Sequence, residues 1–224
     1  LKPNGFPEVA FTCRNRTEPS EQLGVLAASF NPPTIAHLRM AELAVECFGL
    51  DEVVFELAKA NVDKRVTGAP LHERLMMLRC LVAGREGFSV AASSHGRFLD
   101  KVRAFRRLFP AVSLHFIVGF DTLVRVFDAK YYANRDAELS ELFAESRFIC
   151  ANRGNMSVGE MSAWLARSEN RAYADSVLPM ALDAVSASVS STAARERLLR
   201  GEIPSEVPPS VLDYIRLRGL YRSL

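Results

Sequence analysis

The run Leu23-Gly24-Val25-Leu26-Ala27-Ala28 has no polar side chain at any position, and this constrains the fold more than any other stretch. A strand with one face in water alternates apolar and polar residues, whereas an unbroken apolar run suits a strand covered on both faces of a parallel sheet. Parallel neighbours cannot be joined by tight turns, so such a strand requires crossover helices. One follows directly. After Asn31-Pro32-Pro33, residues Leu38, Ala41, Val45 and Phe48 recur at helical spacing, and Gly49 ends the segment.

The pattern then repeats along the chain. Val53–Leu57, Phe88–Ala92, Leu114–Val118 and Phe148–Cys150 read as strands, with a further strand expected over Tyr173–Pro179. Helices are expected at Leu71–Val82, Arg97–Phe109, Met156–Ala166, Thr192–Arg200 and Pro209–Arg218. Alternation of this kind predicts an α/β fold: a Rossmann-like, doubly wound parallel sheet with helices on both faces and a C-terminal helical end. Residues 1–20 carry prolines and no sustained period, so they are expected to form an extended N-terminal arm without chemistry, followed by a single domain over 21–224.

Composition narrows the function. With 224 residues, 49% of them hydrophobic, the chain can bury a full core, and a net charge of +2 is too small for wholesale binding to nucleic acid or membrane. The expected partners are small molecules, with a homo-oligomer left open. Cys13, Cys47, Cys80 and Cys150 form no CxxC pair, which favours free buried thiols over zinc or disulfides. No apolar run is long enough to span a membrane, and the expected location is the cytoplasm. The four histidines show no metal-ligand spacing: His115 reads as a core residue, while His72 and His95 fall at a helix start and in a polar loop. The basic run Lys101, Arg103, Arg106 and Arg107 reads as a solvated helix face.

In open α/β sheets ligands bind beyond the carboxyl ends of the strands, so the turns there carry the chemistry. The first turn runs Ala28-Ser29-Phe30-Asn31-Pro32-Pro33-Thr34-Ile35-Ala36-His37. Thr34 is the expected N-cap, which places His37 in the first helical turn beside amides able to meet phosphate oxygens. A second segment, Val189-Ser190-Ser191-Thr192-Ala193-Ala194-Arg195, would open another helix with an arginine fork on its first turn.

These two segments resemble the signature motifs of the nucleotidyltransferase superfamily, [ST]-x-[ND]-P followed by [HT]-x-G-H, and a late [IV]-S-S-T-x-x-R. Ser29, Asn31, Pro32, Thr34 and His37 match the first in register, with Ala36 in place of the usual glycine. The resemblance is to nicotinate and nicotinamide mononucleotide adenylyltransferases, and it implies transfer of the adenylyl group of ATP to one of those mononucleotides, with Mg²⁺ accompanying the ATP. Class I aminoacyl-tRNA synthetases share a related first motif but need a K-M-S-K-S-like loop, which is missing.

On this resemblance ATP would meet Ala28, Ser29, Phe30, Asn31, Thr34, His37, Gly119, Asp121, Arg153, Ser191, Thr192 and Arg195. His37, Arg195 and Lys64 would act on the reacting phosphates, and Lys64 also on the mononucleotide, although Asp63 replaces the family's histidine beside it. Gly119-Phe120-Asp121 resembles the family's G-x-D segment, in which the carboxylate meets sugar hydroxyls; read alone, Asp121 could equally cap the next helix. Relatives stack a tryptophan on the pyridine ring a little beyond G-x-D. Here the only tryptophan is Trp164, so Tyr131 and Tyr132 are the aromatic candidates, with packing as their alternative role. Lys64 and Arg153 could also be plain surface charges. Two other readings stay open: a different phosphorylated acceptor on the same scaffold, or a nucleotide-binding protein without turnover.

Overall fold

The computed structural model describes residues 1–2, 5–18, 20–59, 68–152, 154 and 156–221. Its strands are β1 (Val9–Cys13), β2 (Gln22–Ala27), β3 (Glu52–Ala58), β4 (Phe88–Ser93), β5 (Ser113–Gly119), β6 (Arg147–Ala151) and β7 (Val177–Met180). They form one seven-stranded sheet in the order β1-β4-β3-β2-β5-β6-β7. All neighbours are parallel except β1, which lies antiparallel on β4. Counted without β1, the order becomes 3-2-1-4-5-6, the doubly wound arrangement whose chain direction reverses between β2 and β5.

The helices are α1 (Ile35–Phe48), α2 (Leu71–Val82), α3 (Phe98–Leu108), α4 (Phe120–Phe127), α5 (Arg135–Glu145), α6 (Val158–Leu165), α7 (Ala184–Ser188), α8 (Ser191–Leu199) and α9 (Pro209–Arg218). Strand alternation sorts them between the two faces. Val53, Phe55 and Leu57 of β3 pack with Met40 and Ala44 of α1, Met77 and Leu81 of α2, Ala194 of α8 and Ile215 of α9. Leu114, Phe116 and Val118 of β5 pack with Val102 and Phe105 of α3, Leu123 of α4, Leu142 of α5 and Met161 of α6. Gly24 marks the tightest approach within β2: a Cβ there would lie 2.7 Å from Leu50 Cδ1.

Several elements differ from the sequence reading. The N-terminal arm contributes β1, whose side chains alternate between half-buried and exposed as an edge strand's do. The arm's Arg14 donates to Glu52, a fully buried carboxylate that also accepts from Ser20 and Ser89. Residues 171–176 form a 3₁₀ turn, so β7 begins at Val177 rather than Tyr173. Helix α5 was not anticipated, although Asn134 at its cap and Leu139 and Leu142 on its buried face are visible signals. The basic run is a solvated face only in part: Lys101 is buried and ion-paired with buried Glu56, while Arg103 pairs with Glu141 at the surface and Arg106 binds the carbonyl of Val112. Arg103 and Arg107 are both exposed, and Arg107 shows no such partner among the described residues. All four cysteines are free, but only Cys150 is fully buried and Cys47 is exposed. His115 is a core residue as expected, 7% exposed with Nδ1 against the Ser113 carbonyl at 3.2 Å.

No helix among the described residues is long and apolar enough to cross a membrane.

Candidate active site

A cavity of about 480 Å³ opens at the carboxyl ends of β2 and β5, where the strand order reverses. Its wall brings together Ala28, Ser29, Asn31 and His37 from the first turn, and Gly119 and Asp121 from the end of β5. Tyr131, Tyr132, Ser191, Thr192 and Arg195 join them from the expected set. Residues 60–67, 153 and 155 lie outside the described part, and with them the candidates Lys64 and Arg153.

The two motif segments touch. Ser191 Oγ donates to the Pro32 carbonyl at 2.9 Å, and Arg195 Nη1 donates to the Asn31 carbonyl at 2.6 Å. Arg195 Nη2 lies 3.3 Å from Thr192 Oγ1, so the guanidinium is held along the first turn of α8 at the cavity edge. Ser190 caps that helix: its Oγ accepts from the Thr192 amide at 3.2 Å and the Ala193 amide at 3.5 Å. This cap occupies two of the amides that would otherwise face a ligand, leaving Arg195 as the main donor of this segment.

The first turn is built around an unusual cap. Thr34 is the N-cap of α1, and His37 sits three residues on, with Nδ1 accepting from the Thr34 amide at 3.0 Å and lying 2.8 Å from Thr34 Oγ1. An amide proton has a fixed direction, so Nδ1 must be the unprotonated nitrogen and Nε2 carries the proton in the neutral ring. Phe30, at φ 44°, is fully buried and packs its ring 4.9 Å from the imidazole and 5.8 Å from Phe55. It is absent from the cavity wall, as is Thr34, so these two support the imidazole instead of lining the site. At the helix start the Ile35 amide donates to the Glu206 carbonyl at 2.8 Å. Beside the remaining first-turn backbone, His37 brings an oriented ring to the cavity wall.

Gly119 caps α4 through its backbone, and Asp121 on the first turn makes no side-chain cap. Its carboxylate is instead exposed and 3.4 Å from Arg125 Nη2. Tyr132 donates its hydroxyl to the Val126 carbonyl, and burial pushes its pKa up to about 12. The Arg97 guanidinium lies 5.5 Å from the centre of the Tyr132 ring and is ion-paired to Glu138. Lys130 stands 4.7 Å from the Tyr131 ring. Trp164 lies off the cavity wall, packed edge-on against Phe120 and Phe127 at 5.4 and 5.2 Å, and so is excluded from stacking on a ligand there. Sequence reasoning missed Arg97 and Lys101 on the cavity wall. Arg97 stands at the N-cap of α3 and Lys101 on its first turn, but the acids they pair with lie 41 and 45 residues away, beyond any local signal.

A doubly wound sheet whose switch point carries an oriented histidine and a helix-borne arginine on one cavity wall is the architecture of a nucleotidyltransferase. The chain belongs to the cytidylyltransferase-like family, whose model matches residues 25–197. It is 30% identical over 210 residues, 90% of this chain and 92% of the relative, to a Gemmatimonas aurantiaca protein named as a nicotinate-nucleotide adenylyltransferase. It is 28% identical over 218 residues to a Schizosaccharomyces pombe protein named as a nicotinamide mononucleotide adenylyltransferase, covering 88% of this chain and 85% of that one. The fold also matches Plasmodium falciparum nicotinic acid mononucleotide adenylyltransferase in its complex with NaAD, with a TM-score of 0.68 at 18% identity over 90% of this chain and 97% of that one.

Proposed function

We propose that this nucleotidyltransferase joins ATP to nicotinate or nicotinamide mononucleotide, forming the dinucleotide and pyrophosphate in NAD biosynthesis. The observation that carries the reading is the junction of Ser191 and Arg195 with the carbonyls of Pro32 and Asn31 beside His37. That junction supports the reading because an imidazole and a guanidinium line the same cavity, where both could meet one triphosphate.

The acceptor's 5′-phosphate oxygen attacks the α-phosphorus of ATP, the bond from that phosphorus to the bridging oxygen breaks, and pyrophosphate leaves with the electron pair. No covalent enzyme intermediate is needed, so catalysis rests on position and on stabilising charge. His37 Nε2–H donates to the reacting phosphates. Arg195 grips the departing pyrophosphate with N–H groups beyond those spent on Asn31 and Thr192. Asp121 accepts from sugar hydroxyls, and Tyr131 and Tyr132 flank the acceptor ring; Lys64 and Arg153 are proposed as further phosphate and nucleotide contacts.

Mg²⁺ would be carried by the ATP phosphates, whose charge it would neutralise, with Asp121 the carboxylate nearest to hand on the cavity wall. It is the single carboxylate there among the described residues, and no group of three or more His, Cys, Asp or Glu among them could cage an ion. The test is pyrophosphate release from ATP with nicotinate mononucleotide, nicotinamide mononucleotide or no acceptor. The reading expects release well above the no-acceptor rate with at least one mononucleotide; equal background release in all three contradicts it.

A further inference from the structure

The turn after β2 is anchored from its buried side as well as from the cavity. Arg74 of α2 donates Nη1 to the Ser29 carbonyl at 2.8 Å. Tyr221 donates its hydroxyl to Asn31 Oδ1 at 2.6 Å, and the same oxygen accepts from the Ala69 amide at 3.2 Å. Arg74 and Tyr221 are 4% and 9% exposed, and neither lines the cavity, so neither touches a nucleotide bound there. Asn31 does line it.

The local sequence explains how Tyr221 arrives. Gly219 adopts the left-handed conformation at φ 61°, and the Leu220 amide returns to the Ile215 carbonyl at 3.0 Å, closing α9 with a reversal. That reversal sends the Tyr221 ring into the core formed by α2, α9 and β3. Helix α9 is itself fixed on α2 by buried Glu73, which accepts from the Tyr214 hydroxyl at 2.6 Å and from Arg218 at 2.8 Å. The end of the chain is thereby registered against the phosphate turn, 190 residues earlier.

Packing alone does not ask for a hydroxyl at this place, because a phenyl ring would fill the same volume without a polar atom to satisfy. What the hydroxyl adds is orientation. With two donors on Oδ1, the Asn31 side chain has one amide orientation and a fixed torsion, and its backbone carbonyl remains aimed at Arg195. Arg74 does the same for the preceding carbonyl of Ser29.

We propose that Tyr221 is a positioning residue for nucleotide transfer: through Asn31, and with Arg74 on Ser29, it holds the turn in the geometry that meets the triphosphate. The inference rests on the nucleotide reading of that turn. A small displacement at a reacting centre is enough to cost turnover, so Tyr221→Phe is expected to lower kcat by about tenfold, with a smaller change in the KM for ATP.

The discriminating experiment is a double-mutant cycle of Tyr221→Phe with Asn31→Ala, read both in turnover and in ATP affinity by calorimetry, with thermal unfolding alongside. If the hydroxyl acts through Asn31, Tyr221→Phe loses its effect once the amide is gone, and the pair is strongly non-additive. Asn31→Ser, which also lacks the amide, replaces the alanine variant if that one does not fold. Additive losses, or unchanged kcat and ATP affinity in Tyr221→Phe, overturn the proposal. Wild-type protein that binds ATP but turns over neither mononucleotide counts against the acceptor assignment alone, and the calorimetric cycle then decides the role of Tyr221. Absence of ATP binding overturns both.

Discussion

Arg195 Nη1 donates to the carbonyl oxygen of Asn31 at 2.6 Å, joining residues 164 positions apart at the mouth of the cavity. One guanidinium thus both ties α8 to the phosphate turn and keeps N–H groups for an anion. Lysine preserves the charge but offers no planar fork, so it cannot do both. Arg195→Lys is expected to lower kcat/KM for ATP by roughly a hundredfold. The accompanying loss of folding stability should stay near ~1 kcal/mol, the worth of a hydrogen bond to the backbone. Steady-state kinetics beside urea unfolding separate the two effects.

His37 is oriented by its own helix cap, with Nδ1 on the Thr34 amide. Removing the ring takes away a donor to the reacting phosphates, and His37→Ala should reduce kcat by roughly two to three orders of magnitude. The lost cap should cost about 1 kcal/mol of stability. Near-normal turnover in a folded variant contradicts the role assigned to this ring.

The parts of this site legible in the sequence are those set by neighbours close in the chain. The unbroken apolar run of β2, the prolines that end it, Thr34 as a cap and His37 three residues later are local, and each stands where the sequence placed it. Features set by distant partners were not legible. Lys101 looked solvated because Glu56, 45 residues away, is what makes its burial tolerable. The Ile35 amide looked available until Glu206 folded back on it. Strand β1 alternates over only five residues, too few to stand out from an arm, and it depends on β4 for pairing. The Tyr221–Asn31 contact has no local signature at all.

The buried pair Glu56–Lys101 yields a stability prediction. Lys101→Met strands a fully buried carboxylate beside Ser93 and should cost about 3–5 kcal/mol. Converting the partner as well, in Glu56→Gln with Lys101→Met, removes the isolated charge and should restore most of that loss. Urea unfolding of the wild type, the single variants and the double variant checks this. A double variant no more stable than Lys101→Met alone contradicts it.

Acid sensitivity should fall into two windows. Burial pushes the His115 pKa below 6.5, and neighbouring Arg147 pushes the same way, partly opposed by the hydrogen bond to the Ser113 carbonyl. The unfolded chain therefore takes up this proton first as pH falls. Stability from neutral His115 is fully present above about 6.5 and is lost as pH drops from there through the folded value. Glu52 titrates lower: burial raises its pKa, but hydrogen bonds from Arg14, Ser89 and Ser20 outweigh it and hold the carboxyl below 4.5. Its contribution is present above that value and lost on further acidification. Unfolding free energies measured from pH 8 down to about pH 3 should decline between pH 8 and 5 in the wild type and decline less there in His115→Gln, while the step below 4.5 stays in both. An identical slope in that variant counts against the His115 assignment.

The claim beneath all of these is that the first turn and the start of α8 share one triphosphate. The most direct measurement is a crystal structure with a non-hydrolysable ATP analogue in the cavity. The account expects phosphate oxygens within hydrogen-bond distance of both His37 Nε2 and the Arg195 guanidinium. An analogue whose triphosphate lies away from either residue would contradict it.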